Sequence, residues 1–227
     1  MKTKTYLPEL SISDLVHALT SQDWSAIGEK LNTQQYERLG LDRALAIASD
    51  LFARHGSLQD LRILDVGSNN GLVCKVLSAL GCSVVGIDNG DIDGQGFYAD
   101  LKSQTRSAGF EFHRKDLAEF LELDDRRWDC ILLLSVTHHW ETGYAMSGER
   151  RYSDDDIRHL LSTLFRRAGS SIYYECPSNE PGFQADFGVD FLRRHCNELP
   201  KMRMLGHTIG PNGYPRDFWA LDMEWSS

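Results

Sequence analysis

The sequence has 227 residues, 41% of them hydrophobic and 25% charged, with five cysteines and a formal net charge of −9. That suffices for one α/β domain with modest additions, is too polar for a membrane protein, and is too acidic for a general nucleic-acid binder. The cysteines at 74, 82, 130, 176 and 196 form no C-x-x-C pair and read as buried thiols of a reducing cytoplasm, and no apolar signal segment follows Met1–Pro8.

Residues 11–19 and 34–54 have helical spacing, with Ser11 or Ser13 as a cap for the first helix and Gly56 as a stop for the second. Residues 1–58 are expected to form a helical cover over a core of residues 59–227, within a single domain. That cover brings Tyr36 and Arg38 within reach of a site. The alternative is a core tyrosine beside a solvated Arg38.

The informative stretch is Arg62-Ile63-Leu64-Asp65-Val66-Gly67-Ser68-Asn69-Asn70-Gly71. A buried strand runs into a tight glycine turn, and Leu72–Leu80 continues as a helix. Ser83–Asp88 is a second buried strand ending in an acid. This strand–glycine loop–helix–strand–acid unit is the nucleotide-cofactor half of a doubly wound sheet. Asn69 stands where a dinucleotide fingerprint has its second glycine. Asp65, just before the loop, would repel a pyrophosphate and suits a cofactor with an ammonium and no phosphate. S-adenosylmethionine has that chemistry, and Asp88 is placed to accept from its ribose hydroxyls.

These residues resemble the class I S-adenosylmethionine-dependent methyltransferases over about residues 62–177. The resemblance implies an α/β Rossmann-like fold, with a mostly parallel seven-stranded sheet and a C-terminal antiparallel strand. It assigns Asp65, Gly67, Ser68, Asn69, Gly71, Asp88, Asn89 and Ser135 to the cofactor. It also assigns Asp116 to the adenine amino group, with Leu117 offering a neighbouring backbone amide. A helix N-cap is the other reading of Asp116.

Further along, residues 89–96 read as a loop, with a helix from about Phe97, and Phe110–Arg114 as the third strand. Trp128–Val136 is the fourth strand, and its apolar run from Cys130 is far too short for a membrane span. It delivers Thr137-His138-His139-Trp140 to the carboxyl edge, where ligands bind in open α/β sheets. Glu141–Tyr152 reads as a polar loop, and Ser153 caps the next helix. Ser170–Pro177 is the fifth strand, with Glu175 at the active edge. A short helix at 189–196 precedes strands at 201–209 and 216–223, split by a turn at 210–215.

His138 and His139 are the catalytic candidates, because a neutral imidazole can take a hydroxyl proton and a protonated one can hold an anion. Adjacent residues leaving a strand point apart, so one of the two is expected to face the acceptor. They make poor metal-ligand spacing, and no metal site is expected. Arg150, Arg151 and Arg216 are candidates for binding a polar acceptor, together with Tyr36 and Glu175.

The G-x-N-x-G loop and the Leu134-Ser135-Val136-Thr137 block are similar to the methylphosphate-capping methyltransferases of RNA ends. The Ser135–His139 block, the Ile172–Glu175 strand and the Gly210–Trp219 turn and strand resemble O-antigen chain-terminating methyltransferases, which act on a phosphate at a glycan end. The resemblance implies an O-methyltransferase acting on a polar small-molecule or glycan acceptor, phosphorylated or not, and the cysteine usage implies a cytoplasmic one. An RNA- or phosphate-capping enzyme and a non-catalytic cofactor-binding partner protein are the alternatives.

Overall fold

The computed structural model describes residues 41–69, 71–90, 109–143, 150–177, 187–209 and 215–223. Tyr36, Arg38, the helix expected at 11–19, the first part of that at 34–54, Asn70, the helix from about residue 97 and the turn at 210–214 lie outside them.

Seven strands form one sheet: β1 (Arg62–Val66), β2 (Ser83–Asp88), β3 (Glu111–Arg114), β4 (Trp128–Leu134), β5 (Ala168–Glu175), β6 (Lys201–Ile209) and β7 (Pro215–Asp222). Their order is β3-β2-β1-β4-β5-β7-β6. The first five strands pair in parallel, and β7 runs antiparallel between β5 and β6. This is the mostly parallel seven-stranded sheet expected of the sequence.

Successive strand residues point to opposite faces, and both faces are covered. Ile63, Val84, Cys130, Leu132 and Tyr173 pack against α1 (Leu41–His55) and α2 (Leu72–Ala79). Leu64, Val85, Ile131, Leu133 and Tyr174 pack with α3 (Leu117–Leu123), α5 (Asp154–Arg167) and α6 (Val189–His195) on the other side. The fully apolar run Ile131-Leu132-Leu133 is what burial on both faces requires of a central strand.

Ion pairs fix α1 over the antiparallel end of the sheet. Asp50 accepts from Tyr173 Oη at 2.7 Å and from Arg203 Nη2 at 2.9 Å, while Asp222 receives Arg54 and Arg203. These contacts hold the carboxyl half of α1 at the amino end of β5, and Arg43 near its amino end reaches Glu175 at the carboxyl end of that strand.

One boundary difference bears on the site, while the fifth strand lies two residues earlier than expected, at Ala168–Glu175. The fourth strand stops at Leu134 instead of continuing to Val136, and Thr137–Thr142 forms a short helix, α4, where the chain was expected to pass into loop at Glu141. Ser135 adopts φ 55°, a left-handed conformation that ends an extended strand. The chain is thereby redirected, and His138 and His139 sit on the first turn of a helix.

Candidate functional site

The carboxyl ends of β1, β2, β4 and β5 carry the site. After β1 the chain turns through Gly67 (φ 72°), Asn69 (φ 47°) and Gly71 (φ 68°) before entering α2. A Cβ on Gly67 would lie 2.7 Å from Val136 Cγ2, so only glycine lets the loop pass that close to the chain after β4. The amides of Gly67 and Ser68 bond to the carbonyl of Ile87 at 2.9 and 3.0 Å, which docks the loop on β2.

Asp88 ends β2 and is 8% exposed. Its two carboxylate oxygens accept from the amides of Asn69 and Gly90, each at 3.0 Å. Asn89 follows, half-buried. Asp65 is buried, and Cys74 Sγ donates to its Oδ2 at 3.2 Å. Burial pushes the Asp65 carboxyl up to about 6, against the pull of the Cys74 bond and the Arg43 charge. The buried Ser68 Oγ has no hydrogen-bond partner among the described residues.

Beside this half lies a buried charge cluster. Glu175 is 0% exposed at the end of β5. Arg43 of α1 donates to its Oε2 at 2.7 Å, Ser135 Oγ donates to the same oxygen at 3.1 Å, and Arg216 of β7 stands 3.5 Å from Oε1. Both arginines also donate to Ser135 Oγ, at 3.3 and 2.8 Å. Three elements far apart in sequence thus meet on one carboxylate.

The histidine pair adjoins this cluster. His138 is buried near Cys176 and Phe187, and its pKa falls to about 2 through burial, the neighbouring His139 and the Arg216 charge. His139 is half-buried, with Nδ1 3.2 Å from the carbonyl of Gly143. A carbonyl only accepts, so Nδ1 of the neutral ring carries the proton and Nε2 the lone pair. Contrary to the expectation that they point apart, the two rings stack.

Asp116 caps α3, where Leu117 is the buried first residue, and Ala118 N donates to its Oδ1 at 3.0 Å. Arg151 Nε donates to Oδ2 at 2.9 Å, and Tyr152 Oη also bonds this carboxylate. These partners hold the Asp116 pKa below the usual carboxylate range despite its partial burial. Arg151 therefore lies on the Asp116 side, and Arg150 pairs with the exposed Asp154. The structure brings together Asp65, the glycine loop, Asp88, Ser135, Glu175, Arg216 and both histidines, and sets Arg150 and Arg151 apart from that group.

Sequence reasoning missed Arg43. A charged side chain in an amphipathic helix reads as solvated, and the only signal was its place on the stripe flanking Ala44, Ile47 and Ala48.

The methyltransferase-domain family matches residues 64–150. A ubiquinone biosynthesis O-methyltransferase of Azorhizobium caulinodans is 31% identical over 133 residues, 54% of this chain and 49% of that protein. The chain spans half or less of the curated relatives it matches. Among solved structures, the bifunctional kinase-methyltransferase WbdD superposes with a TM-score of 0.62 at 19% identity, over 94% of this chain and 46% of that one. Magnesium protoporphyrin IX methyltransferase of Synechocystis PCC 6803, with bound SAH, gives 0.57 at 18% identity, over 81% and 83%. The domain match over residues 64–150 and the sheet order support the Rossmann-like fold of S-adenosylmethionine-dependent methyltransferases. The donor set fits that cofactor: two acids flank the loop where a pyrophosphate would be repelled, and the Ser68 hydroxyl is a buried group awaiting a partner. Among the described residues no helix is long and apolar enough to cross a membrane.

Proposed function

We propose that this chain is an S-adenosylmethionine-dependent O-methyltransferase acting on a polar small-molecule or glycan acceptor. The observation that carries the reading is the orientation of His139. Its Nδ1 proton is tied to the Gly143 carbonyl, its lone pair is on Nε2, and it stands at the sheet edge that Asp65 and Asp88 share. The O-methyltransferase naming of the matched relatives supports the choice of acceptor atom.

When bound, the cofactor supplies a methyl group on a sulfonium, which leaves as a neutral thioether. Asp65 would face its ammonium, Arg43 its carboxylate, and Asp88 its ribose hydroxyls. The loop residues Gly67, Ser68, Asn69 and Gly71 would line the cofactor, with Asn89, Asp116 and Leu117 on its adenine side. His139 takes the acceptor hydroxyl proton at Nε2 as the new oxygen–carbon bond forms. His138, kept neutral, packs against that ring and fixes its plane. Glu175 holds Arg43, Ser135 and Arg216 in register, and Arg216 presents positive charge toward the polar acceptor. Alignment of the reacting atoms contributes about 7–11 kcal/mol, and a positioned base about 10²–10⁴-fold in rate.

The test is incubation of the purified chain with methyl-labelled S-adenosylmethionine and a cell extract split into small-molecule, glycan, protein and RNA fractions. Label in the small-molecule or glycan fraction, lost with His139→Ala, is the expected result. Label in RNA would replace the acceptor class. Cofactor binding by calorimetry with no label in any fraction would overturn the transferase reading.

A further inference from the structure

We propose that His195 and Asp154, with Glu141 behind the histidine, form a divalent-cation site of the zinc class that ties α4 to α5 and α6. The three side chains come from three helices, and their ligand atoms lie within 4.8 Å of one another. No pairwise spacing in the sequence announces them.

His195 carries the argument. Its side chain is 3% exposed and packs on Phe191, with ring centroids 4.8 Å apart. Its Nε2 lies 2.7 Å from Glu141 Oε1, and a carboxylate accepts, so Nε2 carries the proton. Its Nδ1 is buried, has no hydrogen-bond partner among the described residues, and lies 4.0 Å from Asp154 Oδ1. That gap is too long for a hydrogen bond. A lone pair buried against a carboxylate is repulsive unless a proton or a cation lies between them, and 4.0 Å is longer than a proton bridges. Zinc–nitrogen and zinc–oxygen bonds of about 2.0–2.2 Å nearly span the gap, and tetrahedral geometry closes it by about 0.6 Å, within reach of the 52%-exposed Asp154 side chain. Glu141 then serves as the carboxylate behind a ligating histidine, the usual arrangement around such an ion. Water completes the coordination from the exposed side.

Two cations compete. Arg150 donates to the same Oδ1 of Asp154 that faces His195, and Arg194 stands 3.4 Å from Glu141 Oε2. Removing the first should therefore tighten binding.

The test is calorimetric titration of the chelator-treated full chain with Zn²⁺, repeated on variants, with Co²⁺ absorption reporting the ligand field. One ion per chain is expected, with Asp154→Asn and His195→Gln each weakening it at least tenfold, Arg150→Gln tightening it, and the exposed His159→Gln leaving it unchanged. Because Asp154 is half exposed, its variant keeps the test valid if His195→Gln fails to fold. No saturable binding up to about 1 mM, or equal affinity in Asp154→Asn, overturns the proposal. Neither result bears on methyl transfer, which the labelling experiment tests separately.

Discussion

The imidazole rings of His138 and His139 stack with their centroids 3.8 Å apart and their planes tilted by 39°. Two imidazoles this close do not both carry a positive charge. Burial and the Arg216 charge remove His138 from the competition, with a pKa of about 2, so proton chemistry at this edge falls to His139.

Replacement of the two histidines should therefore differ in kind. His139→Ala is expected to lower kcat by about 10²–10⁴-fold with cofactor affinity nearly unchanged. His138→Asn should reduce the rate less and leave the shape of the pH–rate profile between about pH 4 and 9 as it was, because His138 is uncharged throughout. A limb of the profile that vanishes with His138→Asn would refute the assignment.

Asp65 should make cofactor affinity depend on pH. Its carboxyl is raised to about 6, so below that pH it is neutral and cannot pair with an ammonium. The dissociation constant is expected to rise about tenfold for each unit below pH 6, and Asp65→Asn should weaken binding and flatten the dependence, as read by calorimetry.

The same shift has a stability consequence of opposite sign. A raised pKa means that the folded chain binds more protons than the unfolded one between about pH 4 and 6, so stability falls as pH rises through that window. Above it, the buried charge costs about 3 kcal/mol in the absence of cofactor. Asp65→Asn should raise the unfolding free energy at pH 7 while losing cofactor, measured by urea unfolding.

Glu175 joins two arginines in a buried cluster, and its loss leaves their charges facing one another. Glu175→Gln is expected to destabilise the fold by about 3 kcal/mol, and Arg216→Met in the same chain to recover part of that. Thermal unfolding of the single and double variants gives the comparison. Equal stability of wild type and Glu175→Gln would mean that the cluster is not holding the three elements together.

Gly67→Ala meets two obstacles, a positive φ and a contact 2.7 Å from Val136 Cγ2. It should cost about 1–3 kcal/mol and lose cofactor binding. Val136→Ala should relieve the contact and leave the backbone strain, so rescue is partial in both calorimetry and unfolding.

Residues 62–88 were legible because their information is local. Strand, glycine turn, helix and terminal acid follow from alternation, φ and helical spacing within 27 consecutive positions, and the parallel sheet follows from two-sided burial. The histidine pair was legible as chemistry at a strand end. Its geometry was not, because Ser135 and Val136 read as strand, whereas Ser135 takes a left-handed φ while its hydroxyl bonds to two arginines and a glutamate. Arg43 and Glu175 are 132 positions apart, Arg216 lies beyond both, and Arg151 turned to Asp116. Periodicity carries no record of which distant charges share a buried site. Packing of α1 and β7 against one sheet edge brought those charges together, since a carboxylate with no exposure requires cations from whichever elements the fold places beside it.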